Sequence, residues 1–294
     1  MSYSDMVKRI ALIFEGILQF VLFSNAYIAL CAVMMCQTTA RLFKLNLPAS
    51  SLAFLFAGTL GSYSLHWYLT DSSIDSTNRG RWNQTHKQTL LGLFIGAVLV
   101  GLWLLVYLQA YVLDLLPVVL LTFLYSAPKI NWRLFSILRR IAVFKSIYLA
   151  LIWTYVTAAL PLLMAIPVQP TSWVLIGTWL INRFLLIYSI ALWFDYRDRA
   201  TDRQSKWLTI ASMLTETQIR WFFYGLTLCF GLTIAILYRQ WLNVWPVVCL
   251  SVPMALLGLT IRRIATQPSD YGYYLYVDGL LMLSGILLEF GPTS

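Results

Sequence analysis

Charge is scarce in this sequence. Its 294 residues include 21 basic and 12 acidic side chains, 11% in all, where an average soluble domain carries about 25%. So few charges cannot clothe a soluble fold that must also hide 60% apolar residues, which excludes a secreted module, a cytosolic enzyme and a disordered tail. Histidine is rarer still, at two residues, and there are four cysteines. Cys31, Cys36, Cys229 and Cys249 all fall in apolar runs without disulfide or metal-ligand spacing, so they are read as packing residues.

What the chain has instead is long apolar runs. A spanning helix needs ~20 mainly apolar residues, and runs of that kind lie near 11–36, 49–70, 88–108, 111–127, 141–165, 171–194, 218–238, 241–261 and 273–290. The pattern predicts an all-α polytopic membrane protein, a nine-transmembrane-helix bundle forming one domain over 1–294, with no cleavable signal peptide. With the N-terminus in the cytoplasm, sixteen Lys and Arg fall inside and three outside (Arg41, Lys44, Arg239), while Lys145 and Arg183 stay within spans. That asymmetry predicts an integral membrane protein, assigned to the bacterial inner (plasma) membrane, with its C-terminus outside. The formal charge of +9 then lies against an anionic leaflet, and nucleic acid is excluded as a partner. Gly92, Gly96 and Gly101 read as a close helix-packing face.

The acidic residues concentrate in two segments on the inner side. Asp71 and Asp75 follow the second run, and Asp195, Asp198 and Asp202 follow the sixth. On a helix each set shares a face, so like charges stack and need compensation. Neighbouring arginines are one source, which would make the segments ordinary solvated loops. Divalent metal is the other. Mg²⁺ takes oxygen from one or two carboxylates, water and substrate phosphate, and the basic residues Arg79, Arg81, Lys129, Arg139, Arg140, Arg199 and Lys206 are candidates to meet the remaining phosphate charge. Lys145, a few residues inside the fifth run, reads either as a side chain snorkelling to the inner interface or as a phosphate contact.

These residues resemble a family. Asp195-Tyr-Arg-Asp198-Arg-Ala-Thr-Asp202 is similar to the second aspartate-rich motif of the UbiA superfamily of intramembrane prenyltransferases. Asp71-Ser-Ser-Ile-Asp75-Ser-Thr-Asn78-Arg79-Gly-Arg81 resembles the latter part of its first motif, and Tyr125-Ser-Ala-Pro128-Lys129 its Tyr-x-x-Pro-Lys element. The likeness runs over nearly the whole chain and implies nine helices with both motifs on cytoplasmic loops. It also implies Mg²⁺ at Asp71, Asp75, Asp195, Asp198 and Asp202, the last three catalytic, and diphosphate contacts from Arg79, Arg81, Lys129, Lys206 and Lys145. The first motif is degenerate: Trp67-Tyr68 stand where the family has Asn-Asp, and Lys206 replaces a glycine. His66 is the polar residue nearby, as a metal or phosphate contact or as an ordinary interfacial histidine.

Other polar groups within runs are candidates for the pocket: Asn25, His66, Tyr125, Arg183 and Asp278. Arg183 lies twelve residues before Asp195, roughly 18 Å deeper, and the helical wheel turns it toward the acidic side. Among the aromatics, Tyr63, Trp153, Tyr155, Tyr188 and Trp193 are read as wall residues able to guide an isoprenoid and face an allylic cation. The resemblance implies transfer of an isoprenyl group from an allylic diphosphate to a lipophilic, aromatic or quinone-like acceptor within membrane lipid. The alternatives are a terpene cyclase on the same fold and a non-catalytic lipid-binding membrane protein; a transporter ranks below them.

Overall fold

The computed structural model describes residues 3–70, 77–126, 145–165, 171–204, 209–241 and 243–291, and among these it is helical with no strand. In lipid every backbone N–H and C=O must find a partner within the chain, so helices are the form this composition allows. The helices are α1 (Tyr3–Phe23), α2 (Ala26–Leu42), α3 (Ala49–Tyr68), α4 (Asn78–Thr85), α5 (Lys87–Leu105), α6 (Val112–Ser126), α7 (Lys145–Thr154), α8 (Leu160–Met164), α9 (Trp173–Gln204), α10 (Ile210–Met213), α11 (Glu216–Trp241), α12 (Val244–Thr266) and α13 (Asp278–Glu289). A π-helical segment, Tyr155–Ala159, joins α7 to α8, and another, Gly272–Val277, leads into α13.

Eight of the nine predicted runs coincide with a helix or an interrupted helix. The first does not. The run 11–36 is divided at Ser24–Asn25, where α1 and α2 meet with a 60° bend, and Asn25 takes a left-handed conformation with φ 71°. Asn tolerates that region better than most residues with a Cβ. Length supplies the reason for a break: a straight helix over 3–42 would measure about 60 Å, twice the ~30 Å hydrocarbon core. Five described helical segments are individually long and apolar enough to cross: Lys87–Leu105, Lys145–Met164, Trp173–Ala200, Glu216–Trp241 and Val244–Thr266, with the bent pair as a sixth. The count of nine is not reproduced on that measure, because α6 has 15 residues and α13 has 12, while Ser50, Ser51, Ser62, Ser64 and His66 lower the hydropathy of α3. The chain is an integral membrane protein with an all-α bundle.

One polar junction shows how the spans are tied. Pro161 has no N–H to give to the carbonyl of Thr157, four residues back. The Thr39 hydroxyl of α2 donates to that carbonyl at 2.8 Å and receives the Trp179 indole N–H of α9 at 3.3 Å. An orphaned buried carbonyl would cost ~1–3 kcal/mol, so the proline and its repair belong together.

The glycines expected to pack do not. Gly92 and Gly96 have open space where a Cβ would stand, and Gly101 only an ordinary contact with Phe54. Gly92 and Gly96 share a face of α5 that is turned outward, while Gly101, about 180° round the helix from Gly92, faces the bundle interior beside Phe54. Close approach occurs at Gly285 of α13, where a Cβ would lie 2.6 Å from the Thr38 hydroxyl and 3.1 Å from the Met34 carbonyl. The cysteine reading is corrected at one position: Cys31, Cys36 and Cys249 are buried and Cys229 is exposed. Gly285→Ala is expected to destabilise the protein by about 1–3 kcal/mol, while Gly258→Ala, with open space around it, leaves stability unchanged or slightly higher. Unfolding in detergent titrated with denaturant measures both.

Candidate active site

At one end of the bundle α3 ends, α4 lies across, α7 begins and α9 carries its acidic residues. This end is the mouth of the bundle. Two polar clusters meet there, on opposite faces of α9.

The first faces α7. Asp195 is buried and accepts a hydrogen bond from the Ser146 hydroxyl. Asp202, two turns on, is half-buried and accepts from Thr209 at 3.4 Å. Lys145 lies within electrostatic reach of both carboxylates. Beyond the apolar stretch of α9, burial pushes the Asp202 carboxyl up to about 6, against the pull of Lys145 and with help from Asp195 and Asp198. Two carboxylates and a lysine thus share one face, as the i, i+7 spacing predicts.

The second cluster faces α4 and the π-helix before α13. Thr77 caps α4 by accepting from the Gly80 N–H at 3.0 Å, and Asp270 accepts from the Arg79 N–H at 3.0 Å. So positioned, Arg79 buries its guanidinium between the rings of Trp67 and Tyr274, 4.1 and 4.2 Å away. Its Nη2 donates to Asn25 Oδ1 at 2.5 Å, and Asn25 Nδ2 donates to Ser64 at 3.4 Å. Arg197 approaches the same Tyr274 ring at 4.9 Å, donates to its hydroxyl at 3.0 Å and grips Asp198 through Nε at 2.7 Å and Nη2 at 3.2 Å.

The predicted site is therefore partitioned. Asp195, Asp202 and Lys145 come together. Asp198, with a side chain 49% exposed, is paired with Arg197 instead. Arg79 sits in the second cluster and Arg81 is exposed, bonded to Asn78 at 2.6 Å. Asp278, half-buried at the start of α13, lies in the field of Arg79 and Arg197. His66 sets its ring edge-on to Trp67 at 6.0 Å. Asp71, Asp75, Lys129, Lys206 and the side chain of Tyr125 lie outside the described residues. Arg183 is corrected: it does not enter the cavity but is enclosed against the Trp179 ring at 4.5 Å and donates to Asn182 and Ser284. The wheel gave its direction on α9 and could not show that neighbouring helices close over it.

Beneath the mouth lies an apolar cavity of about 370 Å³ between α2, α3, α5, α6 and α7, within the usual size of small-molecule sites. Tyr63 and Trp153 line it, joined by a 3.1 Å hydrogen bond from the indole N–H to the phenol oxygen. Tyr155, Tyr188 and Trp193 do not; Tyr155 donates to the Asp114 carbonyl, and Trp193 packs on Tyr196 and Phe223. Leu149 of the lining is four residues, ~6 Å, from Lys145. The lining also includes Val98, Leu102 and Val119, which are exposed on the outside of the bundle, so the cavity reaches the lipid-facing surface.

Sequence reasoning missed Ser146, Thr209, Asp270, Arg197 and Tyr274 as partners. Only adjacency to Lys145 and to the aspartates hinted at Ser146 and Arg197. Trp67 and Tyr68 were read as losses; here they carry cations, Arg79 and, at 5.3 Å, Lys87.

The donor set admits Mg²⁺ in one way. Among the described residues no three His, Cys, Asp or Glu side chains form a metal-holding group. Asp195 and Asp202 supply hard oxygen ligands, which suits an ion that takes one or two carboxylates and completes its shell with water and phosphate.

The bundle has the fold of the UbiA-type membrane proteins. A solved UbiA homologue from Aeropyrum pernix K1 superposes with a TM-score of 0.56 at 12% identity, covering 92% of this chain and 96% of its own. A digeranylgeranylglyceryl phosphate synthase superposes with a TM-score of 0.52 at 10% identity, over 94% and 97%. No family model matches the sequence, and no curated protein matches it.

Arg79→Leu is expected to cost about 2–3 kcal/mol, from the lost charged hydrogen bond and ring contacts. Arg79→Lys should fall between, since an ammonium cannot stack as a plane. Denaturant titration of the purified variants checks both.

Proposed function

We propose that the protein is an intramembrane prenyltransferase acting on an allylic isoprenyl diphosphate and a lipophilic acceptor of aromatic or quinone type, its mouth facing the cytoplasm. The observation that carries this reading is an apolar cavity whose lining begins at Leu149, one helical turn from the Lys145 that faces Asp195 and Asp202, on a UbiA-like fold. Asp195 and Asp202 would hold Mg²⁺ brought with the diphosphate, and Lys145 would meet a phosphate oxygen. When bound, the metal supplies charge neutralisation for the leaving diphosphate. The allylic C–O bond breaks with its electron pair passing to diphosphate oxygen, and the cation stays among apolar walls. The rings of Tyr63 and Trp153 face that charge with their π-electrons. The acceptor's nucleophilic atom then bonds to the allylic carbon and a proton is released to water at the mouth.

Asp71, Asp75, Asp198, Arg81, Lys129 and Lys206 enter this proposal only through the motif resemblance. Arg79 has a different part, holding the mouth together rather than touching diphosphate. One finding favours a second reading: Trp67 and Tyr68 hold cations where the family motif has Asn-Asp, which fits a non-catalytic lipid-binding protein. Calorimetry separates the two, since only the enzyme takes up isoprenyl diphosphate in a Mg²⁺-dependent manner. A cyclic product formed without acceptor would instead identify a terpene cyclase.

Asp195→Asn and Asp202→Asn are each expected to lower pyrophosphate release by at least about 100-fold, the scale of removing one electrostatic contact from a transition state. The assay runs over prenyl lengths and candidate acceptors in detergent or vesicles. Wild-type rates in both variants would sink the site.

A further inference from the structure

The first helix is laid out unlike the other described helices of the bundle. Beyond its last turn α1 packs on little, and Ile10, Ile13, Phe14, Ile17 and Phe20 are 48–68% exposed. At 100° per residue the apolar positions from Met6 to Val21 fall within one arc of about 180°, with Leu12 outside it. Asp5, Lys8, Arg9, Glu15 and Gln19 occupy the opposite arc. A spanning helix in contact with lipid on all sides would have no reason for such a division.

The placement of α1 agrees with its pattern. Its root is fixed at the mouth, where Gln19 donates to the Tyr271 hydroxyl at 3.1 Å and Phe20 and Phe23 set their rings edge-on to Trp82 at 6.3 and 6.0 Å. From there the helix leaves α2 at 60°. A tilt of α2 by about 30°, within the ordinary range for transmembrane helices, lays α1 flat at the membrane surface. Its exposed apolar arc then continues the lipid-facing surface of the bundle around the mouth.

We propose that α1 is an in-plane amphipathic helix, its apolar arc seated in the acyl boundary of the leaflet on the mouth side and its polar arc in the headgroups. Two acids and two bases cancel on the polar arc, so seating is driven by the apolar residues and does not require anionic lipid. The left-handed turn at Asn25 is then the corner between a surface helix and a span, and the Arg79 hydrogen bond holds that corner. The proposal is independent of the catalytic reading.

Spin labels test it in the full-length protein reconstituted into vesicles of phosphatidylcholine and phosphatidylglycerol. In a Cys229→Ser background, Met6→Cys, Ile10→Cys, Ile13→Cys and Ile17→Cys report the apolar arc, and Lys8→Cys and Glu15→Cys the polar one. The expected result is that oxygen exceeds a nickel chelate in accessibility at the four apolar positions, at depths within about 5 Å of one another. The order reverses at the two polar positions, and pure phosphatidylcholine gives the same pattern. Depth changing by about 16 Å from Met6 to Ile17 would make α1 a crossing helix and overturn the proposal. So would dipolar broadening with low access to both reagents, the mark of a second copy on this face, or nickel access at all six positions.

Discussion

A guanidinium that no described carboxylate grips is expensive to bury, and the mouth of this bundle is arranged around the one at Arg79. Removing such a charge from water is tolerable only if its donors and its field are met elsewhere. Here an amide oxygen from Asn25 and the faces of Trp67 and Tyr274 meet it. Those partners come from the junction of α1 with α2, the end of α3 and the π-helix before α13. Three separate pieces of chain are thus fixed to the short helix α4 by one side chain. The acidic cluster on the far face of α9 inherits its position from that arrangement, because Arg197 of the same helix is seated on the same Tyr274 ring.

α9 consequently divides its work by face. Toward α7 it offers Asp195 and Asp202 to Ser146, Lys145 and Thr209. Toward the π-helix it offers Arg197, and Asp198 follows Arg197 rather than its fellow aspartates. A motif written as one line of acidic residues is in space divided between two clusters, one of carboxylates around Lys145, the other of arginines among aromatic rings.

The apolar runs made the fold readable, since run length and charge asymmetry are direct consequences of a hydrocarbon slab. The division of the first run was not readable in the same way: two polar residues, Ser24 and Asn25, do not end a run that stays apolar on both sides, and a left-handed φ leaves no trace in hydropathy. Helical phase joined Asp195, Asp198 and Asp202 on one face; Asp195 and Asp202 share the side toward α7, while Asp198 pairs with Arg197. It failed for Arg183 and for Gly92 and Gly96, because phase gives a direction around one axis without saying which helix stands there. Trp67 and Tyr68 show the converse error. Measured against a motif they are missing ligands; measured against their neighbours they are cation platforms.

The cavity that reaches the outside of the bundle at Val98, Leu102 and Val119 changes what affinity means for a hydrophobic substrate. Lipid tails are as apolar as the wall, so the proposed isoprenoid substrate, entering from the side, would exchange one hydrocarbon neighbour for another and gain little from burial itself. Selection by the tail is then a matter of length and shape, while the strength of binding falls to the head group at the mouth. The quantity that governs occupancy is the mole fraction of substrate among the lipids, and dilution of the bilayer, at constant total concentration, acts as competition.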